Sequence, residues 1–265
     1  MSEIRKYFTS RWKDGLLAEY DFSQLEVVAL AHLSQDPKLI QDILDGVDMH
    51  CMSASFLYMQ PYQTIYEAVH VHGDPVWEDR RKKAKGPGFL IQYGGGANAM
   101  SKQTGLPVFQ CAGFITNYYG RYTGVKDWQE HVAKMVRDSR ALPIARTKSG
   151  KPAGMGVYIS QTGREYRFTE KDGFNNDTSF SPTEMKNYPV QGFATGDIVP
   201  LVLGKLFRVL KNNEELCDKC LLVNTVHDSV LFDIEDEETL VKADKIIRKT
   251  MEDAPKYLKE IFDID

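Results

Sequence analysis

Residues 80–96 read Arg-Arg-Lys-Lys-Ala-Lys-Gly-Pro-Gly-Phe-Leu-Ile-Gln-Tyr-Gly-Gly-Gly. Within them Arg81, Lys85, Phe89 and Tyr93 recur at every fourth position. On an α-helix a four-residue step advances about 400°, so these side chains share one slowly drifting face about 18 Å long. Gly86-Pro87-Gly88 opposes a plain helix in the middle of that face. Proline inside a helix forfeits a hydrogen bond and costs about 3 kcal/mol, and each glycine adds about 1. The stretch therefore predicts either a kink near Lys83 or a new helix with Pro87 at its first position. A ligand at a hinge, or burial of Phe89 and Leu90, must offset that cost. Two cations followed by two aromatics suit a nucleoside triphosphate, with phosphates at the charged end and the base against the rings. The competing reading is a solvated basic face running into two core aromatics.

The rest of the chain sets bounds. At 265 residues it can bury the core of one large domain or of two lobes. A net charge of −4 excludes a uniformly basic coat, though not a local basic groove. No run of 18 apolar residues and no basic-apolar leader occurs, so neither a membrane span nor a secretory signal is expected. Cysteines stand at 51, 111, 217 and 220. Cys217 and Cys220 form one CxxC without two further ligands in register, so ordinary reduced thiols are expected rather than zinc. His70-Val71-His72 reads as an exposed loop rather than a metal pair.

Along the chain, residues 1–13 are polar and aromatic, and Leu16 to Tyr20 reads as a short buried strand. Asp21 closes that strand. An acid at a sheet edge just before a helix needs a metal or cation nearby if it is buried. Ser23 and Glu26 have capping-box spacing for the helix that follows, so Glu26 has a structural role open to it. A helix is expected from Pro37 to Gly46, then a mixed stretch from Asp48 to Tyr58, then a loop over 59–78. Residues 98–140 are helical in pattern, and Phe114, Tyr118, Tyr119, Trp128, Val132 and Met135 are assigned to packing. Val157–Ile159 and Glu165–Phe168 form a hairpin around Thr162-Gly163-Arg164, and 171–182 is loop. Asn187 opens a long helix to Lys211 that Pro200 should bend. Two apolar strands flank His227-Asp228 at a tight hairpin tip. Leu240, Ala243, Ile247 and Met251 mark an amphipathic helix ending before Pro255.

Three separated segments then resemble one family. Asp21-Phe22-Ser23-Gln24-Leu25-Glu26 resembles motif A of the family A, polymerase I-type DNA polymerases. Arg81, Lys85, Phe89 and Tyr93-Gly94 resemble motif B, their fingers helix, and Val226-His227-Asp228 resembles motif C. Tyr188-Pro189-Val190-Gln191-Gly192, Asp48-Met49-His50 and Thr162-Gly163-Arg164 match lesser signatures, all in family order over nearly the whole chain. The resemblance implies an α+β fold, a right-hand polymerase without its thumb: an antiparallel palm sheet backed by helices, with a mostly helical fingers subdomain. Expected boundaries are palm at 1–34, fingers at 35–183 and palm again at 184–265.

It also implies DNA-templated nucleotidyl transfer from a dNTP to a primer 3′-hydroxyl. Asp21, Asp228 and the backbone carbonyl of Phe22 would hold two Mg²⁺ ions, which suits hard oxygen donors. Arg81, Lys85 and His50 would contact phosphates, with Lys85 protonating the leaving pyrophosphate. Phe89 would stack on the incoming base. Glu26 with Tyr93 would close the space a ribose 2′-hydroxyl needs, a role that competes with its capping role. Asn187, Gln191 and His227 would touch the primer-template, and Arg164 its backbone. Partners are primer-template DNA and dNTPs, and a cytoplasmic setting is expected, that of the host cell if the chain is phage-like.

The chain departs from the pattern in three ways. Ser229 stands where many family members carry a third acid. Gly86-Pro87-Gly88 is unusual within a fingers helix. Motif A begins only about 20 residues in, so thumb and proofreading portions are expected on a separate polypeptide or elsewhere in a longer chain. The alternative is a non-catalytic nucleotide- or nucleic-acid-binding fragment that needs a complementing subunit. A single-subunit RNA polymerase is a third reading, against which Glu26 speaks.

Overall fold

The computed structural model describes residues 7–141, 143, 145–173 and 177–264. In chain order the elements are β1 (Leu16–Asp21), α1 (Leu25–Ser34), α2 (Pro37–Leu44), α3 (Met49–Tyr58), α4 (Tyr62–His70), α5 (Pro75–Gln92), α6 (Ala97–Thr104), α7 (Val108–Arg121) and α8 (Thr123–Asp138). Short strands follow: β2 (Ala145–Arg146), β3 (Pro152–Ala153), β4 (Met155–Ile159), β5 (Glu165–Thr169), β6 (Lys171–Asp172) and β7 (Thr178–Ser179). Then come α9 (Pro182–Gln191), a π-helical segment (Gly192–Ile198), α10 (Val199–Lys211), β8 (Cys220–Val226), β9 (Ser229–Ile234), α11 (Glu237–Glu252) and α12 (Ala254–Phe262). The chain divides into two compact units: residues 1–26 with 191–265, and residues 27–190. The boundaries expected from the sequence lay at 34/35 and 183/184.

The first unit is built on an antiparallel sheet in the order β1-β9-β8. The central strand β9 is the most buried, and Val230, Phe232 and Ile234 are wholly so. Phe232 meets Tyr20 of β1 edge to face at 5.6 Å. Helices α10 and α11 pack on β8, and α12 packs on both. On α10, Val199, Val202, Leu206 and Leu210 are the buried residues, a three- and four-residue spacing that makes one apolar stripe. On α11, Asp236 caps the N-terminus by accepting from Thr239 N–H at 2.7 Å, and Ala243 and Ile247 reach the core.

The second unit is mostly helical, with α3 inside it. Seven of the ten α3 residues are buried, and α3 packs against α4, α5 and α7. A second core lies between α8 and the small strands, where Val132, Val136, Tyr158, Phe168, Phe180 and Met185 cluster. Among the described residues, no helix is long and apolar enough to cross a membrane.

Several expectations need correction. The 59–78 region holds α4 and the start of α5. Helix α4 has a single buried residue, Ile65, so it leaves no apolar stripe in the sequence. Asp74 caps α5 through Val76 N–H (2.8 Å) and Trp77 N–H, and Pro75 sits at its start. Helix α5 runs on through Pro87 to Gln92, so no second helix starts there. The buried residues of its second half are Ala84, Pro87, Gly88, Ile91 and Gln92, while Phe89 is 42% exposed, so burial of Phe89 is not what offsets the proline. Gly88 faces α3, and a Cβ there would fall 2.7 Å from Ser53 Oγ. Glycine thus permits a close helix-helix approach.

Elsewhere, β6 pairs with β7 within the expected 171–182 loop, and residues 174–176 lie outside the described residues. The long helix begins at Pro182 rather than Asn187, and its irregularity is the π segment that precedes Pro200. Helix α1 begins at Leu25, behind Gln24 at φ 53°, whereas a Ser23–Glu26 capping box requires helical dihedrals at residue 24. Met135 is 38% exposed rather than packed. Helix α12 begins at Ala254 and takes Pro255 as its second residue, because proline in the first turn of a helix breaks no intrahelical hydrogen bond.

Candidate active site

In the sheet unit, strand pairing brings motif A and motif C together. Asp21 closes β1 directly opposite Ser229, the first residue of β9. Val226 pairs with Ser229, which leaves His227 and Asp228 as a two-residue turn. His227 takes φ 58°, the left-handed conformation that such short hairpins demand. Phe22 N–H donates to the Asp228 carbonyl at 3.3 Å, so the residues after each strand end are tied as well. Asp21 is exposed and Asp228 half-buried. Burial, then the charge of Asp228, then that of Glu19, push the Asp21 carboxyl above its ordinary range. Glu19 lies on the same strand face as Asp21, two residues earlier. Ser229 Oγ donates to Glu19 Oε1 at 2.8 Å. A cleft lined by Glu19, Asp21, Phe22, Ser23, Arg248 and Glu252 opens beside these groups.

These donors are hard oxygens of like charge, and beside burial the charges of Asp228 and Glu19 push the Asp21 carboxyl up. Such a donor set fits a divalent ion of the Mg²⁺ type, and a bound cation would relieve the repulsion.

In the helical unit, α5 presents the expected cationic-aromatic face. Arg81 Nε and Nη2 both donate to Asp48 Oδ2, at 2.8 and 2.7 Å. The other oxygen of Asp48 caps α3, accepting from His50 N–H (2.9 Å) and Cys51 N–H (3.0 Å). His70 Nε2 adds a contact to Asp48 Oδ2 at 3.0 Å. Burial opposes ionisation of Asp48, but the Arg81, Cys51 and His70 hydrogen bonds win and hold its carboxyl well below the usual range. His50 packs edge to face on Phe89, with centroids 6.1 Å apart. Its imidazole is pushed down by burial, then by the charges of Lys85 and Arg81. The structure therefore gathers His50, Arg81, Lys85 and Phe89 on one side of α5. Tyr93 ends the helix at its C-cap, and Gly94 follows at φ 73°.

Asp48, Cys51 and His70 have donor atoms within 4.8 Å of one another, a grouping that could hold a metal. Arg81 already places its guanidinium on Asp48, and burial raises the Cys51 thiol to about 11, so the cation held here is arginine. His70 thus sits in the last turn of α4 rather than in an exposed loop.

The expected nucleic-acid contacts are spread over both units. In the helical unit, Arg164 is exposed at the β4–β5 turn, where its N–H donates to Ser160 Oγ at 3.2 Å. Asn187 lies on α9 with its Oδ1 buried and without a hydrogen-bond partner. In the sheet unit, Gln191 is half-buried where α9 passes into the π segment, and its carbonyl accepts from Thr195 Oγ1 at 2.8 Å. His227 is exposed at the hairpin tip. Sequence reasoning did not find Asp48 as the anchor of Arg81, nor Glu19 as the partner of Ser229. The signal for Asp48 was its N-cap position before α3; for Glu19 it was the two-residue step to Asp21.

The chain matches the family model described as DNA polymerase family A over residues 1–261. It is 28% identical over 251 residues to DNA polymerase I of Streptococcus pneumoniae serotype 4, covering 95% of this chain and 25% of that protein. It is also 28% identical over 253 residues to DNA polymerase I of Bacillus subtilis, with the same two coverages. Its fold is similar to that of the POL domain of Pol1 from M. smegmatis, solved in complex with DNA primer-template and dNTP. The TM-score is 0.66 at 22% identity, over 95% of this chain and 39% of that one. The chain thus spans about a quarter of the length of the curated relatives it matches. With the model matched from residue 1 to residue 261, the chain belongs to DNA polymerase family A.

Proposed function

We propose that this chain is the catalytic core of a DNA-templated DNA polymerase, with the sheet unit as palm and the helical unit as fingers. The observation that carries the proposal is the pairing of Asp21 against Ser229, which sets the two motif acids beside each other. Asp21, Asp228 and the Phe22 carbonyl would hold two divalent ions, Mg²⁺ by the hardness of these donors. Bound there, such ions supply activation of the primer hydroxyl and neutralisation of the triphosphate.

The remaining work is shared by side chains of both units. Arg81 and Lys85 bind and neutralise phosphate oxygens, and the Asp48 bond fixes the Arg81 fork before substrate arrives. Lys85 donates a proton to the departing pyrophosphate. His50, whose imidazole is pushed down by burial and then by its cationic neighbours, serves as a hydrogen-bonding partner for phosphate. Phe89 offers an exposed ring face for the incoming base. Glu26 and Tyr93 exclude a ribose 2′-hydroxyl. Asn187, Gln191 and His227 contact the primer-template, where the orphaned Asn187 Oδ1 gains a donor. Arg164 contacts the DNA backbone.

The test is primer extension with Mg²⁺ and dNTPs, run with the chain alone and with a polypeptide supplying the thumb. Incorporation that rises with the added polypeptide and disappears in Asp21→Ala and Asp228→Ala is the expected result. Incorporation indifferent to both substitutions refutes the site, and nucleotide binding without incorporation in either arm favours a non-catalytic module.

A further inference from the structure

Ser229 leaves the turn after Asp228 without an acid of its own, and the structure shows what faces it. Strand alternation puts Glu19 and Asp21 on one face of β1, and the β1–β9 register sets Ser229 opposite Asp21 on that face. Glu19 then lies diagonally across from Ser229, within reach of a short side chain. Ser229 is 7% exposed and its single hydroxyl proton has two acceptors in range, Glu19 Oε1 at 2.8 Å and the Val226 carbonyl at 3.2 Å. The shorter bond goes to Glu19. Glu19 itself is exposed and lines the same cleft as Asp21, and its charge is felt at the Asp21 carboxyl.

We infer that Glu19 supplies the third negative charge of the Asp21–Asp228 metal site, aimed there by the Ser229 hydroxyl. The inference rests on the polymerase reading of that site. Glu19 acts as a positioning and charge-supplying residue rather than a first ligand: the three carboxylates are not drawn within 4.8 Å of one another as Asp48, Cys51 and His70 are. A carboxylate several ångströms from a divalent ion still attracts it strongly enough to change affinity about tenfold.

The experiment titrates Mn²⁺ into the full 265-residue chain and follows free Mn²⁺ by electron paramagnetic resonance. Glu19→Gln keeps the shape and removes the charge, and is expected to weaken binding about tenfold. Glu19→Asp keeps the charge and is expected to stay within about threefold of the parent, whereas a merely structural role would tolerate Gln better than Asp. Ser229→Ala is expected to weaken binding about two- to threefold by releasing the Glu19 carboxylate. Parental affinity in Glu19→Gln overturns the inference. The Asp21→Asn arm separates the two levels. Binding lost in Asp21→Asn but intact in Glu19→Gln overturns the role of Glu19 alone, and binding intact in both overturns the metal site beneath it.

Discussion

The two units treat their acids in opposite ways. Among the described residues of the helical unit each buried carboxylate is matched. Asp42, with its side chain 2% exposed, receives Arg121 through two nitrogens at 2.8 and 2.7 Å, the Tyr122 hydroxyl at 2.9 Å and Lys38 at 3.0 Å. Asp36 caps α2 through Lys38 and Leu39 N–H, and its second oxygen accepts from Val125 N–H. Asp48 caps α3 and anchors Arg81. In the sheet unit, Asp21, Asp228 and Glu19 face one another with like charge. That unit also pairs a buried acid where fold alone is at stake: Asp233, 4% exposed, accepts from Arg11 Nε at 3.0 Å through Oδ2, while its Oδ1 has no hydrogen-bond partner. The contrast teaches where to look for chemistry. Buried acids met by hydrogen-bonded cations hold the fold, and accessible acids that face one another with like charge are a cost that a cationic ligand removes.

Breaking the contrast should affect rate in one unit and stability in the other. The largest effect is on incorporation. A bound metal contributes several kcal/mol of charge stabilisation, so Asp21→Ala or Asp228→Ala should slow single-nucleotide incorporation about a thousandfold or more. Calorimetry on the same variants should show the melting temperature no lower than that of the parent. Next, Asp42→Asn should cost about 3 kcal/mol by stranding Arg121, lowering the melting temperature by roughly 6–12 °C. Mn²⁺ affinity should remain parental in that variant, and a loss there would mean that the units are not separable in this way.

The dependence on pH sharpens the same comparison. Burial disfavours the ionised forms of Asp42 and Asp48, but their hydrogen-bonded cations outweigh it, so both fold with carboxyls below the ordinary 3.8. Their stabilisation is complete above that value and is lost as pH falls through the depressed folded-state values. Asp21 has the opposite sign: its raised carboxyl costs stability once pH exceeds 3.8, and protonation removes that cost. Urea unfolding between pH 5 and pH 2 should therefore show a shallower decline in Asp48→Asn than in the parent, and a decline at least as steep in Asp21→Asn. The smallest effect concerns α5. Gly88→Ala adds a Cβ 2.7 Å from Ser53 Oγ and displaces the bond that hydroxyl makes to the Met49 carbonyl. A better helix former partly offsets that, leaving a loss of about 1 kcal/mol by denaturant melts.

Much of the geometry of the acidic candidate site was legible because each half of it is local. Asp21 ends an apolar run and His227-Asp228 interrupts another, and strand pairing does the rest. The α5 face was legible from its four-residue period. That α5 runs on through Pro87 was not, because that half of the helix approaches the distant Ser53 of α3 through Gly88. Helix α4 escaped notice because one buried isoleucine makes no periodicity. The π segment was invisible, since its sequence Gly192 to Ile198 carries no proline and the expected bend was placed on Pro200. The Arg81–Asp48 and Ser229–Glu19 bonds join residues 33 and 210 positions apart, beyond any local pattern.

The most direct measurement is thermal unfolding of the parent, Asp21→Asn and Asp228→Asn, each with and without Mn²⁺. If the clustered acids of the sheet unit exist to hold divalent ions, the metal-free variants melt no lower than the parent, and Mn²⁺ raises the melting temperature of the parent alone. Variants that melt lower without metal, or that gain as much from Mn²⁺ as the parent does, would contradict the account.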